Sequence, residues 1–138
     1  MRAVKIGERR YTFGMLRAVA LSGITHVLFA FFAMGAWAYY VNSDHGPQRA
    51  ALAALTQGSA SALITALMKR SLEALYKRFS SSRLARLAPW LITCSIAATG
   101  LVAYHLVTGT PNILVTSAVP LMVSTGYAIV YTQALTRR

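Results

Sequence analysis

LAPWLITCSIAATGLVAYHLVTGTPNILVTSAVPLMVSTGYAIVYTQALT, residues 87–136, runs for fifty positions without an Asp, Glu, Lys or Arg, in a chain of net charge +11. A water-soluble domain spreads its charge over its surface. A bilayer separates oil from charge, because a spanning helix takes about 20 consecutive apolar residues and excludes ionised side chains. At about 1.5 Å per residue, one fifty-residue helix would far exceed the roughly 30 Å hydrocarbon core, so the run must fold back. Thr108-Gly109-Thr110-Pro111-Asn112 supplies the break, a cluster of turn residues with a proline that cannot continue a helix.

Outward from this run, residues 18–43 and 50–68 are also free of charge. The pattern predicts an all-α integral membrane four-helix bundle, with spans over residues 17–41, 50–68, 87–107 and 113–135. Hydrophobic residues make up 56% of the chain and charged residues 12%, against about 25% charged in soluble domains. Its 138 residues predict a single transmembrane domain with no second, extramembrane one.

The charges set the expected orientation. Arg2, Lys5, Arg9, Arg10 and Arg17 precede or open span one. Lys69, Arg70, Lys77, Arg78, Arg83 and Arg86 lie between spans two and three, and Arg137 and Arg138 follow span four. The other side holds Arg49 alone, so both termini are expected in the cytoplasm. Ala36-Trp37-Ala38 has the small-x-small form of a signal-peptide cleavage site. The apolar stretch before it is longer than the roughly 7–15 residues of a typical signal core, and span one is expected to be retained. The single cysteine, Cys94, excludes a disulfide within the chain.

The chain also resembles itself. A shift of 68 residues lays Ala50, Gly58, Ala60, Ala66, Leu67 and Arg70 on Ala118, Gly126, Ala128, Ala134, Leu135 and Arg138. Span one meets span three in the same register, with Ile24 and Thr25 on Ile92 and Thr93. Two-span units return to their starting side, so the pattern predicts a tandem repeat of parallel hairpins.

Span two is built of small residues. Ala54, Gly58, Ala62 and Thr65 share a face that allows close helix approach, and span two is expected to be the most enclosed. Gln57, costly against lipid, should meet a neighbour or a cavity. Trp37, Tyr39 and Tyr40 suit an aromatic anchor at the end of span one, and Pro120 predicts a kink in span four. Leu72, Leu75, Tyr76 and Phe79 recur at i, i+3, i+4, i+7, opposite Lys69, Arg70, Glu73, Lys77 and Arg78. Residues 69–79 therefore predict an amphipathic helical extension along the inner leaflet, with a Glu73–Lys77 pair, ending at Ser80-Ser81-Ser82. Pro89 suits the first turn of span three, with Trp90 at the interface.

Little in the chain carries covalent chemistry. The four expected spans contain no carboxylate, which counts against proton antiport of the small multidrug type. His26 invites a reading as proton site or haem ligand, but its partner His105 lies at another depth, about 27 Å from the inner end against about 14 Å. A neutral histidine bonded to a neighbouring helix is the simpler reading of His26. Asp44-His45 beside Gly46-Pro47 reads as a solvated turn. His26, Gln57, Ser124, Tyr127 and Tyr131 are candidates for a polar intramembrane groove. There is no phosphate-binding glycine loop, no CxxC and no HExxH, so neither enzyme activity, cofactor nor metal is expected.

The basic residues exceed what orientation needs. Arg17, Lys69, Arg70, Arg86, Arg137 and Arg138, at membrane depth on one side, form a candidate rim for anionic lipid phosphates. They flank spans instead of forming a separate domain, so a nucleic-acid partner is not expected. Four spans in this length, two-span repeats, and the endings SALITALMKR (residues 61–70) and IVYTQALTRR (residues 129–138) resemble the GtrA-like family of small four-helix membrane proteins. That family carries an aromatic and an Asn before the basic residue, where this chain has Thr65 and Met68, and Gln133 and Thr136. The resemblance implies a bacterial inner-membrane protein that moves polyprenyl-phosphate-linked sugars for cell-surface polysaccharide, as flippase or as partner of a membrane glycosyltransferase. Four helices enclose little volume, so a homo-oligomer is expected. A non-catalytic accessory subunit and a small oligomeric pore are the alternatives.

Overall fold

The computed structural model describes residues 23–137. They form four long helices, α1 (Gly23–Val41), α2 (Pro47–Phe79), α3 (Ala88–Thr108) and α4 (Ile113–Thr136), with short 3-10 turns at Ser43–His45 and Arg83–Arg86. No strand occurs among the described residues. All four helices are long and apolar enough to cross a membrane, which makes this a multi-pass protein of the α-helical class.

The boundaries follow local chemistry. Gly46 and Gly109 adopt positive φ (91° and 66°), a region that disfavours a Cβ, and each closes a hairpin. Gly109 caps α3 in the left-handed conformation, with the Thr110 N–H bonded to the His105 carbonyl at 3.0 Å. Pro47 and Pro89 sit in the first turns of α2 and α3, where a missing N–H costs nothing. Pro120 lies buried inside α4, and the helix continues across it.

The bundle is organised around α2. In its most apolar stretch 39% of residues are buried, against 11%, 17% and 22% for α1, α3 and α4. Small residues explain this. A Cβ on Gly58 would stand 2.8 Å from the Phe31 carbonyl oxygen, and one on Gly35 would stand 3.1 Å from that of Ala54. Lipid tails are as apolar as the helices, so helices associate in a membrane through such close packing and through hydrogen bonds, not through a hydrophobic drive. At Gly126, which the sequence repeat aligns with Gly58, a Cβ would meet nothing within 4 Å. The two matched glycines therefore have different surroundings.

Residues 69–79 are helical, as expected, and their apolar face is covered within the bundle. α2 continues unbroken for 33 residues, and Leu72 is fully buried with Met68 and Ala128, against Ile64, Trp90, Cys94 and Tyr131. The apolar face was read correctly, but it is claimed by α3 and α4 before lipid can reach it. Trp90 accordingly packs on this cluster.

Candidate functional site

At the end where α2 and α4 finish, Lys69, Arg70, Lys77, Arg78, Arg83, Arg86 and Arg137 are all exposed. Arg17 and Arg138, assigned to the same rim from sequence, lie outside the described residues. Among the described residues this end has one carboxylate, Glu73. The Tyr131 hydroxyl donates to Glu73 Oε1 at 2.6 Å, and Lys69 Nζ stands 4.0 Å from the same oxygen. Glu73 thus pairs one turn back, with Lys69, and not forward with Lys77, because its carboxylate is drawn to α4 by Tyr131. Glu73 lies in α2 beyond the expected span 50–68, one position from fully buried Leu72. Exposed pairs such as Lys69–Glu73 are worth at most about 1 kcal/mol. Seven basic residues against one acid leave the rim strongly positive.

Within the rim, the end of α2, the Arg83–Arg86 turn and the end of α4 enclose an open cleft of about 390 Å³, lined by Tyr76, Ser80, Ser82, Arg83, Arg86 and Thr136. The serine run builds it. The Ser80 hydroxyl donates to the Lys77 carbonyl and the Ser82 hydroxyl to that of Phe79, both at 3.0 Å. These bonds satisfy carbonyls left over where a helix stops. Ser82 Oγ also accepts from the Leu84 N–H at 3.2 Å, which caps the following turn. Thr136 donates to the Gln133 carbonyl at 2.8 Å. The three hydroxyls are therefore engaged with backbone, and they shape the cleft. Side chains at i and i+3 eclipse on a 3-10 turn, so Arg83 and Arg86 enter the cleft from one side.

The proposed intramembrane groove is not assembled. Tyr127 stacks on Tyr131 with ring centroids 5.6 Å apart, and Ser124 donates to the Leu121 carbonyl at 3.2 Å, so these three share one face of α4. Gln57 lies sixteen residues from Glu73 on α2, about 24 Å along the helix. His26 is exposed on α1.

The packed histidine is His105. It is fully buried, with Nε2 2.8 Å from Gln57 Oε1 and Nδ1 2.8 Å from Thr110 Oγ1. Gln57 Nε2 donates to Ser61 Oγ at 2.8 Å, so its Oε1 is left to accept and the His105 proton resides on Nε2. Beside it a second network joins the hairpins. Asn42 Nδ2 donates to Thr116 Oγ1 at 2.9 Å, and Asn42 Oδ1 accepts from the Asn112 N–H at 3.0 Å. Asn112 Nδ2 donates to the Val41 carbonyl at 3.0 Å and lies 3.2 Å from Nε2 of the exposed His45. Among the described residues, no group of three or more His, Cys, Asp or Glu side chains is placed to hold a metal.

Sequence reading missed Arg83 and Tyr76 as site residues. The available signal was the Arg-x-x-Arg spacing directly after a serine run, which marks a stopped helix followed by a short turn. No protein-family model, curated protein or solved structure matches the chain.

Proposed function

We propose that the basic end of the bundle engages the phosphate of an anionic lipid, and that the protein handles or translocates a polyprenyl-phosphate-linked sugar for cell-surface polysaccharide synthesis in a bacterial inner membrane. The carrying observation is the charge imbalance among the described residues: seven exposed basic residues against one tyrosine-bonded carboxylate at one end, and only Arg49 and Asp44 at the other. In this reading the positive-inside tendency puts the basic end and both termini in the cytoplasm, where a basic surface attracts anionic headgroups. The tandem two-span repeat belongs to the same reading, as does its likeness to the GtrA-like proteins. Purified protein in lipid nanodiscs should bind polyprenyl phosphate at least about tenfold more tightly than phosphatidylglycerol, a difference of about 1.4 kcal/mol, measured by native mass spectrometry. Equal binding of the two lipids sinks the proposal.

One observation favours a second reading, a non-catalytic accessory subunit of a membrane enzyme or transporter. Gln57 and His105, with Asn42 the bulkiest fully buried polar side chains among the described residues, bond each other instead of lining a passage. Recovery of a stoichiometric membrane partner on mild solubilisation, with no lipid preference, supports that reading over the first.

A further inference from the structure

We infer that the cleft between α2, the Arg83–Arg86 turn and α4 seats a doubly charged phosphate headgroup, gripped by Arg83 and Arg86 with Tyr76 as a neutral donor. The inference rests on the lipid-phosphate reading of the basic end and deepens it, by naming the seat and the charge state of its ligand.

Three of the residues lining the cleft, Arg83, Arg86 and Tyr76, carry donor groups with no hydrogen bond or ion pair to any described residue. The other polar groups there, Ser80, Ser82 and Thr136, already donate to backbone carbonyls. Among the described residues no carboxylate lines the cleft to compete for the arginines. The 3-10 geometry sets their spacing, with a rise of about 2 Å per residue that separates i and i+3 by about 6 Å on one face. Two guanidinium forks at that separation converge on a single phosphate, and planar forks match phosphate oxygens bidentately. A volume of about 390 Å³ suits a headgroup and not a whole lipid.

Charge decides between headgroups. A phosphomonoester carries about −1.5 to −2 at neutral pH, which two guanidinia balance. A phosphodiester carries a single negative charge and leaves one arginine uncompensated. In the lipid-sugar reading the cleft therefore favours the carrier bearing a bare phosphate over the carrier whose phosphate is esterified to sugar. Arg83 and Arg86 are exposed, so the ligand enters from the membrane surface.

The test uses the full chain in phosphatidylcholine nanodiscs containing phosphatidic acid, a phosphomonoester, or phosphatidylglycerol, a phosphodiester. The wild type should prefer phosphatidic acid about tenfold, the size expected of charge-assisted hydrogen bonds. Arg83→Gln/Arg86→Gln should abolish that preference while leaving phosphatidylglycerol binding nearly unchanged. Arg83→Lys/Arg86→Lys should restore part of it, since charge is kept and the fork is lost. Tyr76→Phe should reduce it about threefold, as for one neutral donor. Competition by inorganic phosphate would identify the free ion as a ligand of the cleft, and indifference to it would identify the lipid headgroup. Equal weakening of both lipids in the Gln variant, or no preference in the wild type, overturns the inference. A phosphatidic acid preference that depends on the two arginines, in a protein indifferent to polyprenyl chains, keeps the cleft and removes the lipid-sugar reading. A polyprenyl phosphate preference untouched by Arg83→Gln/Arg86→Gln does the reverse.

Discussion

Gly58→Val is expected to separate α1 from α2 and to lower the stability of the bundle more than any exposed substitution. Even the first added carbon would stand 2.8 Å from the Phe31 carbonyl oxygen and 3.2 Å from its ring. Backbone cannot rotate aside as a side chain can, so α1 must shift and the neighbouring contact of Gly35 with Ala54, 3.1 Å for its own added Cβ, opens with it. Overpacking of this kind costs typically 1–3 kcal/mol, about the upper end for a branched residue against backbone. Stability is read from the SDS-induced unfolding midpoint in mixed micelles, followed by circular dichroism. Gly126→Ala is the control, because a Cβ there meets nothing within 4 Å and the change should stay within about 0.5 kcal/mol. Equal losses at Gly58 and Gly126 would show that the close approach does not hold the hairpin.

His105→Leu should produce the second large loss. It strips a partner from both the Gln57 amide and the Thr110 hydroxyl, each 2.8 Å from the imidazole in a fully buried site. Hydrogen bonds between membrane helices average about 0.6 kcal/mol and reach about 1.7, and an orphaned buried group adds its desolvation cost. Two bonds lost at once therefore predict about 1–3 kcal/mol. The sharper test is the cycle with Gln57→Leu. With His105 already removed, Gln57 no longer has its imidazole partner, so the second substitution should cost far less than it does alone. Additive costs would mean that the two side chains are adjacent without being coupled. The same unfolding measurement reports all three variants.

The candidate site was only partly legible in the chain. The one-sided charge of the rim is a property of composition and position, and the structure leaves every described member of it exposed. The cleft is different, because it depends on where α2 stops. Ser80-Ser81-Ser82 announced a stop, but nothing local showed that Tyr76 and Thr136, sixty residues apart, would face one another across it. Glu73 illustrates the same limit. Its i, i+4 neighbours on both sides are lysines, Lys69 and Lys77, and only the Tyr131 hydroxyl of a distant helix determines which way the carboxylate turns.

Sequence alone determined the number of spans, their order, the turn at Gly109 and the side that gathers the positive charge, because hydropathy, proline and glycine act within a few residues of themselves. Tertiary structure decided which polar groups are interior. His26 and His105 are equally apolar in their local surroundings, yet one faces outward and the other is sealed between Gln57 and Thr110. In lipid every face of a helix is oily, so the apolar pattern that points a soluble helix toward its core carries no such direction here. The direction comes instead from close backbone approach and from polar partners on other helices, and both exist only once the bundle has formed.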